Sequence, residues 1–413
     1  MKKAIFTLVT LLCGLNLFAQ WVRVTPNPAQ ESLTSVRFFN DSIGYAVGNG
    51  GTILKTVNAG TSWTLLTTNT TQTFLTVFPT SKDTVFAAGN GGLLTRSIDG
   101  GLNWYSLTTG TPKNIYSLYF ISSQIGYAAT GEQINTGIEV ISSGTIYKTT
   151  DGGLNWNPVL NASKPYRTVH FMNEQVGFAG GDSANGIVKT INGGQNWQNL
   201  TLPDLEGNTI LSLQFVNANL GYAVGTKGVV YKTINGGSNW TKTTIDSNAA
   251  LFSVHFTDTD TGYAVGTNAE GIIYKTVNGG TTWTNQKFSI SVIMRGVYFT
   301  PTKTGYVVGR FNGGVAGIWR QQGNFVPINS GFNDLTTDIF SVYPNPFTNN
   351  ISIQLSQLEK ANYSIRDLEG KELKIGVVEA NQPTIELEML APGFYVVTLV
   401  NKNYVQHIKV IKE

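Results

Sequence analysis

The chain has 413 residues, of which 41% are hydrophobic and 13% charged, with 46 glycines and a formal net charge of +3. So small a net charge on so apolar a chain excludes disorder, and the lack of any basic stripe excludes a protein that tracks nucleic-acid phosphates. Cys13 is the only cysteine, so no disulfide framework exists.

Residues 1–19 read as an export signal. Lys2 and Lys3 precede an apolar run from Ala4 to Leu15, and Leu17-Phe18-Ala19 stands before Gln20. A run of about a dozen apolar residues is too short to span a bilayer. Leu11-Leu12 before Cys13 fits a lipobox poorly, because the position before the cysteine should be small. Cleavage removes Cys13 and leaves a mature chain without thiol chemistry.

Trp21-Val22-Arg23-Val24-Thr25 then opens a repeat that governs residues 20–320. Six near-copies of one box follow, each reading Ser/Thr, any residue, Asp/Asn, Gly or Ala, Gly, two residues, Trp. They run from Asn58 to Trp63, Asp99 to Trp104, Asp151 to Trp156, Asn192 to Trp197, Asn235 to Trp240 and Asn278 to Trp283. The box predicts a tight hairpin in which the Asp or Asn oxygen accepts from backbone amides two residues on and Gly supplies positive φ. The Trp then opens the next strand and buries a large apolar face.

Three short runs precede each box, as in Ser212–Phe215, Gly221–Gly225 and Val229–Thr233 ahead of Trp240. With the stretch after each Trp they make four strands per unit, and the tryptophans from Trp21 onward are spaced 42, 41, 52, 41, 43 and 43 residues apart. Four strands at this period predict a four-stranded antiparallel β-propeller.

Seven inner-strand units begin at Ser35, Thr76, Ser117, Thr168, Ser212, Ser253 and Gly296, so the propeller should have seven blades. The seventh unit has no box, since Ile318-Trp319-Arg320 aligns with the third-strand Ile-Tyr-Lys of other units. Trp21–Thr25 is an outer strand without a blade, and it keeps the tryptophan register. It is expected to close blade 7, with Asn324–Ile328 as the competing strand. Unit 3 is longer by eleven residues, between Thr130 and Ser143. Strand parity sends that insertion, Arg167 and Arg295 to the face away from the boxes.

Residues 321–340 read as a polar linker containing Gly331, Asn333 and Asp334. A module at 341–413 then alternates cleanly in Ile351–Leu355, Tyr363–Arg366, Phe394–Leu399 and His407–Ile411. It should form a small Ig-like β-sandwich.

The six boxes resemble the Asp-box, or bacterial neuraminidase repeat, of sialidases and sortilin-type receptors. With Gly221-Tyr-Ala-Val-Gly225 and Tyr231-Lys-Thr233, residues 21–320 are most similar to photosystem II assembly-factor-like propellers, a family also present in bacteria without photosynthesis. The module at the end of the chain resembles the type A C-terminal sorting domain of the type IX secretion system. The matching positions are Tyr343-Pro344-Asn345-Pro346, Asp367-Leu368-Glu369-Gly370-Lys371, Leu390-Ala391-Pro392-Gly393-Phe394-Tyr395 and Lys409-Val410-Ile411-Lys412. This second resemblance implies export to the periplasm and then across the outer membrane. The cargo would end up secreted or on the cell surface, with the type IX machinery as a partner.

Catalytic chemistry is sparse. The box Asp and Asn residues recur in every boxed unit and read as structural. A sialidase-like site needs an arginine triad, a Tyr paired with Glu and an acidic proton donor. The propeller holds Arg23, Arg37, Arg96, Arg167, Arg295, Arg310 and Arg320, while Glu132, Glu139, Glu174, Glu206 and Glu270 form no recognisable pair. Other glycosidases need two carboxylates at a set separation. His170 and His255 occupy one position of blades four and six without cysteines, and read as packed side chains rather than metal ligands. Gly48–Gly51 and Gly89–Gly92 join strand to strand, so they read as turns rather than nucleotide loops.

One ring is a candidate site. The residue before each inner-strand unit should circle the channel mouth: Thr34, Leu75, Tyr116, Arg167, Leu211, Phe252 and Arg295, with Arg310 nearby on a blade-seven loop. Tyr116, Arg167, Phe252, Arg295 and Arg310 could hold an acidic or planar group. The expected product is a secreted or surface-attached monomeric binding or scaffold module without cofactor or metal, meeting a protein or glycan through that face and neither binding nucleic acid nor spanning a membrane. The alternative is a carbohydrate-active enzyme of the sialidase-like Asp-box type.

Overall fold

The second run of each unit, such as Gly221-Tyr-Ala-Val-Gly225, is buried at every residue, as a strand must be when apolar layers cover both of its faces. Its terminal glycine is forced by packing. A Cβ on Gly44 would lie 2.6 Å from the Phe38 ring, and the same clash recurs at 2.7 Å between Gly221 and Phe215.

The computed structural model describes residues 21–321 apart from 26, 138, 183–185, 206, 287–291 and 312–313, and residues 340–413 apart from 356–359, 368–371, 380–382 and 402–403. The export signal with Cys13, Glu206 and Asn324–Ile328 therefore lie outside the described residues, as do 322–339 of the linker. The chain divides into two compact units, 1–327 and 328–413.

The first unit contains seven four-stranded antiparallel sheets, the blades. Blade 1 consists of Leu33–Phe38, Gly44–Gly48, Ile53–Thr56 and Thr64–Leu66, in that order outward. Blade 7 takes three strands from Val292–Phe299, Gly305–Phe311 and Ala316–Gln321, and Trp21–Arg23 supplies its fourth. Trp21 pairs with Gln321 and Arg23 with Trp319, so strands from both ends of the repeat region close the ring.

Each box is tied by its own side chains. In blade 1 the Thr56 hydroxyl donates to Asn58 Oδ1 (3.0 Å) and accepts from the Gly60 amide (2.9 Å). Asn58 Oδ1 also accepts from the Ser62 amide at 3.0 Å. The reach is thus to the amide four residues on, not two as the sequence pattern suggested; blades 3 and 6 repeat it at Asp151–Asn155 and Asn278–Thr282. A turn of two consecutive positive-φ residues, Ala59 at 54° and Gly60 at 68°, makes the wider loop that this oxygen fills.

Joints between blades follow one scheme. The Phe that ends an inner strand stacks on an aromatic ring from the preceding blade's second strand: Phe38 on Tyr306 (4.1 Å), Phe171 on Tyr127 (3.7 Å), Phe256 on Tyr222 (3.6 Å). The box Trp meets the same Phe edge-on, at 5.8 Å for Trp63, 6.0 Å for Trp197 and 5.9 Å for Trp283. Trp21 does this to Phe299 in blade 7 (6.0 Å), which is why it keeps the register without a box of its own. Blade 2 has Pro79 in place of the Phe, and Trp104 there is only partly buried.

The same neighbour grips the box backbone. Tyr222 Oη and Lys232 Nζ both donate to the Gly279 carbonyl, at 2.9 and 2.6 Å. Tyr127 and Lys148 do so to Gly193, both at 2.8 Å, and Tyr306 reaches the Ala59 carbonyl at 2.7 Å across the closure. Burial pushes the Tyr127 and Tyr222 phenols up to about 12, so they stay protonated and donating.

The second unit has a three-stranded sheet, Phe340–Tyr343, Asn350–Leu355 and Thr384–Glu386, and a four-stranded sheet, Glu372–Glu379, Lys360–Asp367, Gly393–Asn401 and Tyr404–Lys412. Phe347, Ile351, Ile353, Ile365, Val397, Leu399 and Val410 share its core. The Lys412 ammonium is buried and donates to the Leu387 and Glu388 carbonyls, at 2.7 and 2.9 Å.

Two tests follow from the joints and the boxes. Tyr222→Phe or Lys232→Met alone should cost about 1 kcal/mol, because the Gly279 carbonyl keeps one donor. The double variant should cost more than the sum by roughly 1 kcal/mol, since a buried carbonyl is then orphaned. Strict additivity in denaturant titrations would contradict the shared grip. The second test uses Asp99 and Asp151, whose carboxyls are held down at about 2 by the Asn103 and Asn155 backbone amides first, then by the same residues' side chains and the Ser97 and Thr149 hydroxyls. Their stabilisation is complete above the usual 3.8 and is lost as pH falls from there towards 2. Asp99→Asn with Asp151→Asn, which matches the other four boxes, should flatten the melting-temperature profile in that window.

Candidate functional site

The channel mouth is built by a defect repeated seven times. Every inner strand slips register against its neighbour at one place, between Leu33 and Ser35 in blade 1, Ile115 and Ser117 in blade 3, Tyr166 and Thr168 in blade 4, Leu251 and Ser253 in blade 6, and Met294 and Gly296 in blade 7. Blades 2 and 5 do the same between Phe74 and Thr76 and between Ile210 and Ser212. The residue skipped is Thr34, Leu75, Tyr116, Arg167, Leu211, Phe252 or Arg295. A bulged residue leaves the ladder and its side chain is re-aimed. All seven line one cavity of about 370 Å³ enclosed by the inner strands of all seven blades.

Arginine pairs with an aromatic ring twice around this mouth. The Arg167 guanidinium lies 4.3 Å from the Tyr116 ring centroid, and Arg295 lies 4.4 Å from that of Phe252. Their electrostatics differ. Arg167 Nε donates to Asp182 Oδ1 at 3.1 Å, and the other carboxylate oxygen accepts from Gln133 Nε2 at 2.8 Å. Gln133 belongs to the insertion, which extends the Gly126–Asn135 and Val140–Thr149 hairpin, so the insertion and Arg167 share the face that strand parity assigned.

Arg295 has no such partner. Burial lowers its pKa, and the neighbouring Arg310 charge lowers it further. Arg310 is not on a loop as expected; it lies in the Gly305–Phe311 strand, cross-strand from Ile293 and Ala316. Among the described residues neither arginine makes an ion pair. Two close guanidinium groups without a carboxylate favour an anion.

Two residues along each inner strand from the hydroxyl-bearing position lies a second ring, which the sequence reading did not assemble. It contains Arg37, Tyr119, His170, Gln214, His255 and Tyr298, all lining the cavity, while the blade-2 residue at this position, Phe78, is not among the lining residues. Period-2 alternation from Ser35 or Thr168 would have found it. His170 and His255 pack against Tyr119 (4.8 Å) and Tyr298 (5.1 Å), and burial first, then the Arg37 charge, pushes both imidazoles down to about 3. Both are neutral at ordinary pH.

The remaining candidates stay apart from this channel. Asn58, Asp99, Asp151, Asn192, Asn235 and Asn278 sit in their turns, and Glu132 Oε1 accepts from Ser143 at 3.2 Å within the insertion. Among the described residues no Asp or Glu lines the cavity. Among the described residues no cluster of three His, Cys, Asp or Glu could hold a metal, and no helix is long and apolar enough to cross a membrane.

Comparison with known proteins fits this architecture. Residues 16–164 and 159–333 match the family of the photosynthesis system II assembly factor YCF48, and residues 341–413 match the secretion system C-terminal sorting domain. No curated protein matches the chain. Similar solved structures include YCF48 bound to D1 peptide, 15% identical with a TM-score of 0.58 over 74% of this chain and 95% of that one. YCF48 from Cyanidioschyzon merolae is 20% identical, with a TM-score of 0.57 over 74% and 99% of the two chains. An ancestral GH74 enzyme is 15% identical, with a TM-score of 0.54 over 95% and 64%. At these identities the likeness is one of fold. The sorting domain directs the chain through the type IX secretion system to the cell surface or beyond, and the chain belongs, through the match that spans its repeats, to the YCF48 assembly-factor family of β-propellers.

Proposed function

We propose that the propeller is a binding module outside the cell that takes an acidic segment of a protein or glycan at the mouth opposite the boxes. The observation that carries this is the unpaired couple of Arg295 and Arg310, with Arg295 laid on Phe252. A guanidinium already partly stripped of water loses little more on meeting a carboxylate, and the ring beneath it fixes its plane. Arg167 on Tyr116 forms a second, weaker pole, because Asp182 already neutralises it.

The related structure of YCF48 with a peptide supports a polypeptide partner for this fold. The GH74 likeness raises the enzyme reading, but a glycosidase needs two carboxylates flanking the scissile bond. The described lining of this channel supplies none. The fold therefore serves here as a rigid disc that presents side chains.

The test uses the full chain against arrays of acidic glycans and acidic peptides, scored for both retention and cleavage. Arg295→Ala with Arg310→Ala should weaken retention of an acidic ligand by roughly tenfold or more, as expected for lost charge-assisted bonds. Lys82→Ala, an exposed cation on the box side, should leave it unchanged. Added salt should weaken the wild-type interaction. Retention that ignores the double substitution would refute the site, and release of sugar from any glycan would restore the enzyme reading.

A further inference from the structure

Past the mouth the channel holds a second feature, apart from Arg295 and Arg310. Arg37 projects from the inner strand of blade 1 into the cavity, where its guanidinium lies 3.8 Å from the Phe78 centroid, 5.6 Å from Tyr119 and 6.0 Å from Tyr298. It is half-buried and lines the channel, and lost hydration lowers its pKa. Among the described residues no acidic side chain lines the cavity, and no ion pair or hydrogen bond engages this guanidinium. A half-buried charge left this way keeps its donors open to an anion in the cavity.

What surrounds Arg37 is a set of unused donors. Gln214 is occupied, since its amide bridges the Phe256 backbone N–H and C=O at 2.6 and 3.3 Å, and the Tyr298 hydroxyl donates to the Phe38 carbonyl at 3.1 Å. The imidazoles of His170 and His255 make ring contacts only, so each keeps an N–H for the channel. One level nearer the mouth, the hydroxyl oxygens of Thr76, Ser117, Ser212 and Ser253 accept from the next blade's Leu118, Val169, Val254 and Val297 amides at 3.2–3.4 Å. An oxygen that accepts there leaves its own proton to donate.

We propose that the channel binds a small tetrahedral oxyanion, phosphate or a phosphomonoester, on Arg37, with His170, His255 and the hydroxyl ring as neutral donors. Donors that converge from several blades suit oxygens pointing in several directions, whereas a planar carboxylate would engage one side of the ring. The cavity, at about 370 Å³, has room for the anion and a short ester tail. The site is independent of Arg295 and Arg310, so either can fail without the other.

The experiment is a thermal-shift series on the full chain in an anion-poor buffer, with inorganic phosphate, glycerol phosphate and acetate as probes. Phosphate in large excess over its dissociation constant should raise the melting temperature by about 3 °C or more, and acetate, which suits only the mouth arginines, should raise it far less. Arg37→Met should abolish that rise while leaving the ligand-free protein close to its original stability, because no ion pair or hydrogen bond is lost with the charge. Arg295→Ala with Arg310→Ala should keep the rise. A response to glycerol phosphate would place an ester in the channel, and a response to inorganic phosphate alone would confine the site to the free ion.

A readout without substitutions uses the three histidines of the chain. Phosphate should move the proton-resonance signals of His170 and His255 and leave that of His407. A phosphate response that survives Arg37→Met, an equal response to acetate, no wild-type response, a ligand-free protein strongly destabilised by Arg37→Met, or channel histidine signals blind to phosphate would each overturn the proposal.

Discussion

The propeller depends on a carbonyl held from next door. In blade 6 the box turns sharply through Gly279 and Gly280, at φ of 63° and 79°, which points the Gly279 carbonyl out of its own blade. Tyr222 and Lys232 of blade 5 then meet it at 2.9 and 2.6 Å. The ring of that tyrosine also stacks on Phe256 of blade 6, so one side chain supplies apolar contact and polar satisfaction to the same joint. A Cβ on Gly280 would press within 3.1 Å of Tyr222, so glycine serves here for backbone conformation and for clearance. Blades 2 and 4 present Phe86 and Phe178 at the tyrosine position, and there Arg96 and Lys189 alone hold the Gly152 and Gly236 carbonyls, at 3.2 and 2.7 Å.

That arrangement divides the labour between the two faces. Box turns lie against the loops joining first and second strands, as the Gly279 amide donating to Asp260 shows, and the interlocking is concentrated there. The opposite face carries the bulged residues that line the channel mouth. Thr34, Leu75 and Leu211 are unremarkable occupants of the bulge position, whereas Tyr116, Arg167, Phe252 and Arg295 share it and create two cation–aromatic pairs between adjacent residues of neighbouring blades. Thr34 also serves a joint, since its hydroxyl lies within donor reach of the Val47 and Phe74 carbonyls, at 3.0 and 2.7 Å, and so ties blade 1 to blade 2.

The fold was legible because its signals are redundant. Trp21 alone, without a box, was enough to place the closing strand, since its spacing to Trp63 matches the period and its partner Phe299 stands where Phe38 stands in blade 1. The mouth ring was legible for the same reason of register. Less legible were features that need a third dimension. The Asn58 oxygen reaches Ser62 because the loop is wider than a two-residue turn, and Arg310 sits on a strand because the blade-7 hairpin runs past the point where the sequence looks loop-like. In the sorting domain, Glu372–Glu379 was missed because Gly376 and its charged ends mask the alternation of an edge strand that is largely exposed.

Arg37 shows why a site can hide within a correctly read repeat. At its position the other blades carry Phe78, Tyr119, His170, Gln214, His255 and Tyr298, five rings and one amide, so comparing units suggests a packing position and gives no sign of a site for a charge. Only the closed ring brings them within reach of one another, and the physical question then changes from what each strand needs to what the enclosed volume needs. Phe78 covers one face of the guanidinium, neutral imidazoles flank it, and no carboxylate enters. A half-buried guanidinium at such a place serves the enclosed volume rather than a joint between blades, because its ring contacts fix its plane and leave its donors open to whatever enters the channel.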